Sequence, residues 1–541
     1  MENNQTLSQQ QKVGQLFFPA AFINDSDENI KALERLIREC WIGGLTFFHS
    51  PQMAATNYEK RRDIPRNDES CQRLKELIQH YQSVANYPLL VSIDAEWGLA
   101  MRVENAEQYP YALSLGASQD PYLVFETGEA VAKDLKAVGI HLNLAPVLDI
   151  NLDPANPVIG YRSFGQDKQR VAKLALAFYR GLRSVGILGC AKHFPGHGDT
   201  AVDSHLGLPV IRKSSKELFE QDLFPFVEAI ELGIDCVMPG HLAVPALNEG
   251  QILPSSLSKS VVTGLLRDHL GYEGVVITDA LNMKAVADRF EHPGELELAS
   301  LDAGNDVLSF SSNIPAAIEL ISQRYPSEQL ERSFTRVDQL KHKAGLFNSP
   351  PRKDRAASSS PQDPQTLREQ LALSIITIVK KGTPISAGGS EKVACVSVYK
   401  PTKQAVFCKI VSAFKSIPIY EMVQFSRGNG MILQESLGQY ERIIIALYVP
   451  SVKPMNKFGM SQSFLDWLTV MMRKKRIDLV IFGNPYSLRH INFELAGQVI
   501  LAYQDLKEFE KKAAEYLFGK VEVNGKLPVT IDETTAGEGQ G

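Results

Sequence analysis

Up to residue 348, eight short apolar runs alternate with segments of amphipathic helical period; the runs lie at 14–19, 43–48, 88–94, 141–147, 189–194, 235–238, 274–279 and 306–310. Each is rich in Val, Ile, Leu or Phe and lacks polar alternation, the pattern of strands buried on both faces. Ser26 or Asp27 can cap a helix that runs through Cys40, and 69–85, 167–185 and 214–233 read as further helices, the last stopped by Gly233. Eight βα units in series predict an α/β fold, a closed (β/α)8 TIM-type barrel over residues 1–348. An open doubly wound sheet is the competing arrangement, but no glycine-rich nucleotide fingerprint follows the first run.

The stretch 349–366, SPPRKDRAASSSPQDPQT, has proline, serine and charge without an apolar period, and reads as a linker. A second βα series follows, with strands expected near 393–398, 417–423, 442–449, 478–482 and 499–503. It predicts a smaller three-layer α/β sandwich over 367–530, with a polar tail at 531–541. A length of 541 residues is consistent with more than one core.

A formal net charge of −5 gives no electrostatic ground for nucleic acid or an anionic membrane as partner. No apolar run approaches the roughly 20 residues needed to span a bilayer. The opening MENNQTLSQQQK lacks the basic and apolar regions of a secretory signal, so a cytoplasmic protein is expected; a periplasmic one would need a signal segment ahead of this sequence. The six cysteines are scattered without a CxxC pair, and Cys190 and Cys236 lie in apolar runs where a reduced, buried thiol is the usual state.

Barrel catalysts sit at the C-terminal ends of strands. The third run ends in Asp94, with Arg102 eight residues on; the loop after the fourth carries Arg162; the fifth ends in Lys192-His193, the sixth leads through Met238 to His241, and the seventh ends in Asp279. Taken alone, Asp279 could simply cap the segment that begins at Ala280. Together these charged groups would face one pocket, a costly arrangement unless they pair with one another or with a polar ligand.

The densest stretch runs from Lys192 through His193, Pro195, Gly196, His197, Gly198 and Asp199 to Asp203 and His205. A metal reading of its His and Asp residues fails on spacing: the His-x3-His pair needs a helix, which Pro195, Gly196 and Gly198 oppose. A phosphate cradle lacks the Gly-Lys-Ser/Thr ending. A third reading makes Asp203 and His205 a dyad, in which the carboxylate orients the imidazole and raises its proton affinity. Such a histidine suits a group that first donates and then accepts a proton.

The runs KHFPGHGDTAVDSH, IGYRSFG and GVVITDALNMKAV resemble, in order and spacing, the bacterial β-N-acetylglucosaminidases of glycoside hydrolase family 3 that act in peptidoglycan recycling, and the likeness extends from Val13 to Leu308. The second domain resembles that of the longer members, down to its closing LFGKVEVNGKLPVTI. The resemblance implies Asp279 as nucleophile, His205 as acid/base and Asp203 as its support. It implies that Asp94, Arg102, Arg162, Lys192 and His193 hold the N-acetylglucosamine ring, with Met238 and His241 beside the same pocket. One departure is that many relatives read DHEGGR where this chain has Asp94-Ala95-Glu96-Trp97-Gly98-Leu99.

The implied reaction is retaining hydrolysis of a terminal N-acetylglucosaminide, in a glycan or muropeptide such as an N-acetylglucosaminyl-anhydro-muramyl peptide, with no metal or organic cofactor. Two alternatives share the scaffold. A phosphorylase would use phosphate in place of water, which a neutral histidine repels less than a carboxylate would. A non-catalytic muropeptide-binding protein would show damage to the catalytic set, yet Asp279, Asp203 and His205 are all present.

Overall fold

Nine short parallel strands make the first sheet system of the computed structural model, which describes residues 7–50, 67–200, 207–347, 363–386 and 388–531. They are β1 (Phe17–Phe18), β2 (Ala20–Phe22), β3 (Gly44–Phe48), β4 (Leu90–Ile93), β5 (Leu142–Asn143), β6 (Leu188–Phe194), β7 (Cys236–Pro239), β8 (Val275–Val276) and β9 (Leu308–Ser309). β2 to β8 pair in sequence order and β1 pairs with β9. The first apolar run holds β1, and a further strand, β2, follows just beyond its end. Pro19, which has no N–H to give, separates β1 from β2, the strand that pairs with β3. On the other side Ile277 bridges Val307, and Thr278 N donates to Val307 O at 2.9 Å. The sheet therefore closes on itself as a (β/α)8 barrel.

Helix ends follow local chemistry. Ser26 Oγ accepts from Asn29 N and starts the helix Asp27–Cys40, which buries Ile30, Leu33 and Ile37 along one stripe. The segment expected as one helix over 214–233 is instead broken. A capping box at Ser214 and Glu217 opens Ser215–Glu217, a π-helical turn covers Leu218–Asp222, and Phe224–Glu231 follows. Pro225, near the start of that last helix, cannot donate to the preceding turn, so the ladder shifts register there.

The base of the barrel, at the N-terminal ends of the strands, is bolted by the helix Ser327–Lys343. Its Arg336 reaches Asp306, ahead of β9, at 3.0 Å, and Lys343 pairs with Asp235, ahead of β7. Lys341 donates to Gln15 Oε1 at 2.5 Å and to Pro88 O at 2.7 Å, ahead of β1 and β4. Asp338 accepts from Tyr87 OH at 2.6 Å. One helix thereby ties four strand entrances.

The chain divides into two compact units, the first comprising Met1–Tyr109, Phe125–Ile150 and Ala175–Ser359 and the second Pro110–Val124, Asn151–Leu174 and Ser360–Gly541. In the second, β10 (Thr377–Lys380), β11 (Val393–Val398), β12 (Ile419–Met422), β13 (Arg442–Tyr448), β14 (Arg476–Phe482) and β15 (Gln498–Leu501) form a six-stranded sheet, with the order β10-β15-β14-β13-β11-β12. β10 runs antiparallel and the others parallel. The helices Pro364–Ile375 and Val406–Lys415 both pack on Lys507–Leu517, while Arg427–Ser436 packs on Gln462–Lys474, giving helices to each face. Two short segments from the first half of the chain belong to this unit through bonds such as Ser118 Oγ to Ser374 Oγ at 2.7 Å and Tyr111 N to Gln504 Oε1 at 2.7 Å. Among the described residues no helix is long and apolar enough to cross a membrane.

Candidate active site

The C-terminal ends of β4, β6 and β8 bring the charged groups together. Lys192, near the end of β6, is almost wholly buried, and its Nζ donates to Asp94 Oδ1 at 2.7 Å and to Glu96 Oε1 at 2.9 Å. Arg102 Nη2 reaches the other Asp94 oxygen at 3.3 Å, and its guanidinium lies 4.4 Å from the centre of the Phe48 ring. Two cations and two carboxylates thus neutralise one another in a low-dielectric setting, where an unpaired charge would be expensive. The turn that carries Asp94 and Glu96 is pinned from β5. Asn143 Oδ1 accepts from Ala95 N at 3.1 Å, and its Nδ2 donates to Ala95 O at 3.0 Å. Replacing histidine by alanine in the DHEGGR-like stretch leaves this backbone clamp intact, because it uses no side chain of residue 95.

His193 follows Lys192 through a cis peptide bond. Its Nδ1 lies 2.7 Å from Asp149 Oδ2, and Asp149 Oδ1 also accepts from the backbone N–H of His193 at 3.1 Å and of His197 at 2.7 Å. Burial opposes ionisation of Asp149, but the two imidazoles and these N–H groups outweigh it and hold the carboxyl below its ordinary range. His197 is buried against Thr200, its Nδ1 2.8 Å from Oγ1; desolvation, helped by His193, pushes its pKa down to about 4. Gly198 permits the loop to lie on β-barrel backbone, since a Cβ there would sit 1.6 Å from Ile150 O.

Asp279, half-buried three residues beyond β8, accepts from Ala280 N at 2.8 Å through Oδ1. The next helix, Lys284–Ala287, starts behind Met283, so Asp279 is not its cap. Its strand end is fixed by Thr278, whose Oγ1 accepts from Ser309 N at 2.9 Å. The buried Cys190 thiol, pushed up by desolvation, also feels Lys192, Asp94 and Asp279, and His197 feels Asp279, so these groups converge on one interior. Met238 is buried on β7 in register with Lys192. His241 donates from Nε2 to Ala280 O at 3.0 Å and meets Ser256 Oγ at 2.7 Å through Nδ1, so both ring nitrogens are taken by protein and brace the Asp279 turn. Arg162 belongs to the second unit, where it is buried on the turn Gly160–Arg162 with Nη1 3.4 Å from Val158 O. Asp203 and His205 lie outside the described residues.

The description Glycosyl hydrolase family 3 N terminal domain fits residues 8–340. The chain belongs to glycoside hydrolase family 3. Among similar family 3 relatives, Beta-hexosaminidase A of Pseudoalteromonas piscicida is 32% identical over 83% of this chain and 84% of its own length. A Beta-N-acetylglucosaminidase/beta-glucosidase of Cellulomonas fimi is 27% identical over 75% of this chain and 78% of its own. A solved glycoside hydrolase family 3 β-N-acetylglucosaminidase from Paenibacillus sp. str. FPU-7 superposes with a TM-score of 0.78 at 29% identity, covering 97% of this chain and 99% of its own.

In this family 3 glycoside hydrolase, two buried carboxylates at the site escape a reading of the sequence alone. Glu96 sits in a loop motif that departs from the family pattern, and nothing local marks it as the second partner of Lys192. Asp149 follows an apolar run like many loop aspartates. Its signal is that three donors, two from His193 at the end of β6 and one from His197 in the loop that follows, converge on it, which only the fold reveals.

Proposed function

We propose that the enzyme is a retaining exo-β-N-acetylglucosaminidase that removes the non-reducing terminal N-acetylglucosamine from peptidoglycan fragments of the N-acetylglucosaminyl-anhydro-muramyl peptide type. The observation that carries this reading is the convergence of Asp94, Lys192, Arg102 and Asp279 on one interior at the C-terminal ends of the strands. The names of the similar β-hexosaminidases support the choice of sugar.

Asp279 is the proposed nucleophile. It attacks the anomeric carbon as the glycosidic bond breaks, and the leaving oxygen takes a proton from His205, oriented by Asp203. Water, deprotonated by His205, then releases the sugar from the Asp279 ester with its β configuration retained. Lys192 and Arg102 donate to ring hydroxyls and Asp94 accepts from them, and the Asp94 contact tightens as positive charge grows on the ring and makes its hydroxyls better donors. His193 and Met238 complete the proposed sugar subsite, and His241 holds the Asp279 turn.

The test is turnover of p-nitrophenyl N-acetyl-β-D-glucosaminide and of the matching glucoside by wild type and Asp279→Ala, with and without phosphate. The expected result is selective, phosphate-indifferent hydrolysis of the N-acetyl substrate that falls by at least ~1,000-fold in the variant. Near-normal turnover by Asp279→Ala would remove the nucleophile assignment. Phosphate-dependent release of a sugar 1-phosphate would replace hydrolysis by phosphorolysis, and preference for the glucoside would overturn the choice of sugar.

A further inference from the structure

Asp149 is fully buried, and its carboxylate receives the strand end and loop that carry His193 and His197. Its Oδ1 accepts two backbone N–H groups, and its Oδ2 faces His193 Nδ1 at 2.7 Å and His193 N at 3.2 Å. An ionised carboxylate has lone pairs only and no proton to give. Between it and an imidazole nitrogen at hydrogen-bond distance, the proton must therefore sit on the nitrogen. His193 is thus Nδ1–H, and in the neutral ring Nε2 is left as an acceptor.

That polarity matters because the neighbouring groups supply the opposite one. Lys192 and Arg102 are donors without acceptor capacity, and both Asp94 oxygens already receive one of these cations. A sugar hydroxyl that accepts from such a cation still has a proton to place. We propose that Asp149 is a positioning residue for the hydrolysis, which fixes His193 in the Nδ1–H tautomer so that Nε2 accepts the proton of a sugar hydroxyl held by the Lys192 side of the site. The proposal rests on the reading of His193 as a sugar-holding residue. Through the N–H of His197, the same carboxylate also sets the turn that begins the His197–Thr200 loop.

Asp149→Asn separates tautomer from shape. The Asn oxygen can keep the two backbone N–H groups that Oδ1 now accepts, and its NH2 then faces His193 Nδ1. That nitrogen must become the acceptor, and Nε2 acquires the proton. An Asp→Asn change behind an imidazole can preserve geometry and still supply the wrong tautomer.

Two measurements test this. Nitrogen NMR of imidazole-labelled protein, with the His193 signals identified by their loss in His193→Gln, should show a protonated Nδ1 and bare Nε2 in wild type and the reverse in Asp149→Asn. For the aryl N-acetylglucosaminide, kcat/KM should fall on the order of 10–100-fold in Asp149→Asn, as expected when a buried polar contact is mispaired. Added to His193→Gln, the same change should cost little more, because the group it acts through is gone. A wild-type His193 protonated on Nε2 overturns the proposal. So does an Asp149→Asn penalty as large in the His193→Gln background as in wild type, which would mean that Asp149 only holds the turn. If Asp149→Asn does not fold, the wild-type nitrogen signals and the effect of His193→Gln alone decide the matter. Absence of turnover in wild type would refute the hydrolase reading separately and leave the tautomer to the nitrogen signals.

Discussion

Replacing Lys341 by methionine should change how the stability of the barrel depends on pH. Lys341 is fully buried at the barrel base, with its amine on Gln15 Oε1 and Pro88 O and 5.0 Å from the centre of the Tyr87 ring. Burial disfavours its charged form and pushes its pKa from 10.5 down to about 7, against a smaller opposite pull from Asp338. Below pH 7 both folded and unfolded chains hold the proton, and above pH 10.5 neither does. Between these limits the unfolded chain alone binds it, so stability rises with pH by about 1.4 kcal/mol per unit. Allowing for partial protonation near the ends of the window, the difference in unfolding free energy between wild type and Lys341→Met should change by about 2.5 kcal/mol, in favour of wild type, from about pH 7.5 to about pH 9.5. Methionine has a similar volume, and the two donated hydrogen bonds that it lacks are lost at every pH, so they shift the curve without changing its slope. Urea unfolding at constant ionic strength, followed by fluorescence of Trp41 and Trp97 in the barrel, measures the slopes. Parallel curves would show that the buried amine keeps its proton as readily as the unfolded one, and the reasoning would fail.

Two further outcomes follow from contacts on either side of the barrel. Asp306→Asn should destabilise the barrel by about 3 kcal/mol, because Arg267 at 2.5 Å and Arg336 at 3.0 Å lose their carboxylate, although partial exposure of Arg336 softens the effect; an unchanged denaturation midpoint would contradict it. Gly198→Ala should leave the fold standing but push the His197–Thr200 loop off Ile150 O, lowering kcat by ~100-fold, as misplacement by an ångström can do. Wild-type kinetics in that variant would show that the close approach is dispensable.

The barrel is legible because parallel strands buried on both faces must be apolar throughout, and the runs at 43–48 and 189–194 coincide closely with β3 and β6. β2 is less legible: Ala20–Phe22 lies just past the run at 14–19, Phe17 and Phe22 look alike in composition, and only the closure of the ring pairs one with β9 and the other with β3. β10 is missed for a different reason. Thr377–Lys380 follows directly on the helix Pro364–Ile375, with no glycine or proline between, and the last two of its four residues are only partly buried. The membership of 110–124 and 151–174 in the second unit has no local signature at all, since it depends on partners such as Ser374 and Gln504 hundreds of residues away. At the site, Asp94, Lys192 and Arg102 announce themselves as charges at strand ends. Asp149 and Glu96 do not, because a carboxylate gains its meaning from the donors that reach it.

The helix that bolts the barrel base also sets a clock. Lys341 and Gln15 are 326 residues apart in the chain. At about 5–20 residues per second on a ribosome, that separation amounts to roughly half a minute between the emergence of the two partners. Throughout that interval the entrance of β1 lacks the amine that it will finally hold, and Phe17 and Phe18 lack β9. Synthesis of the last strand does not end the wait, because Arg336, Lys341 and Lys343 follow only with the second helix after it. The ties of the barrel base are therefore complete only once residue 343 is free to pair.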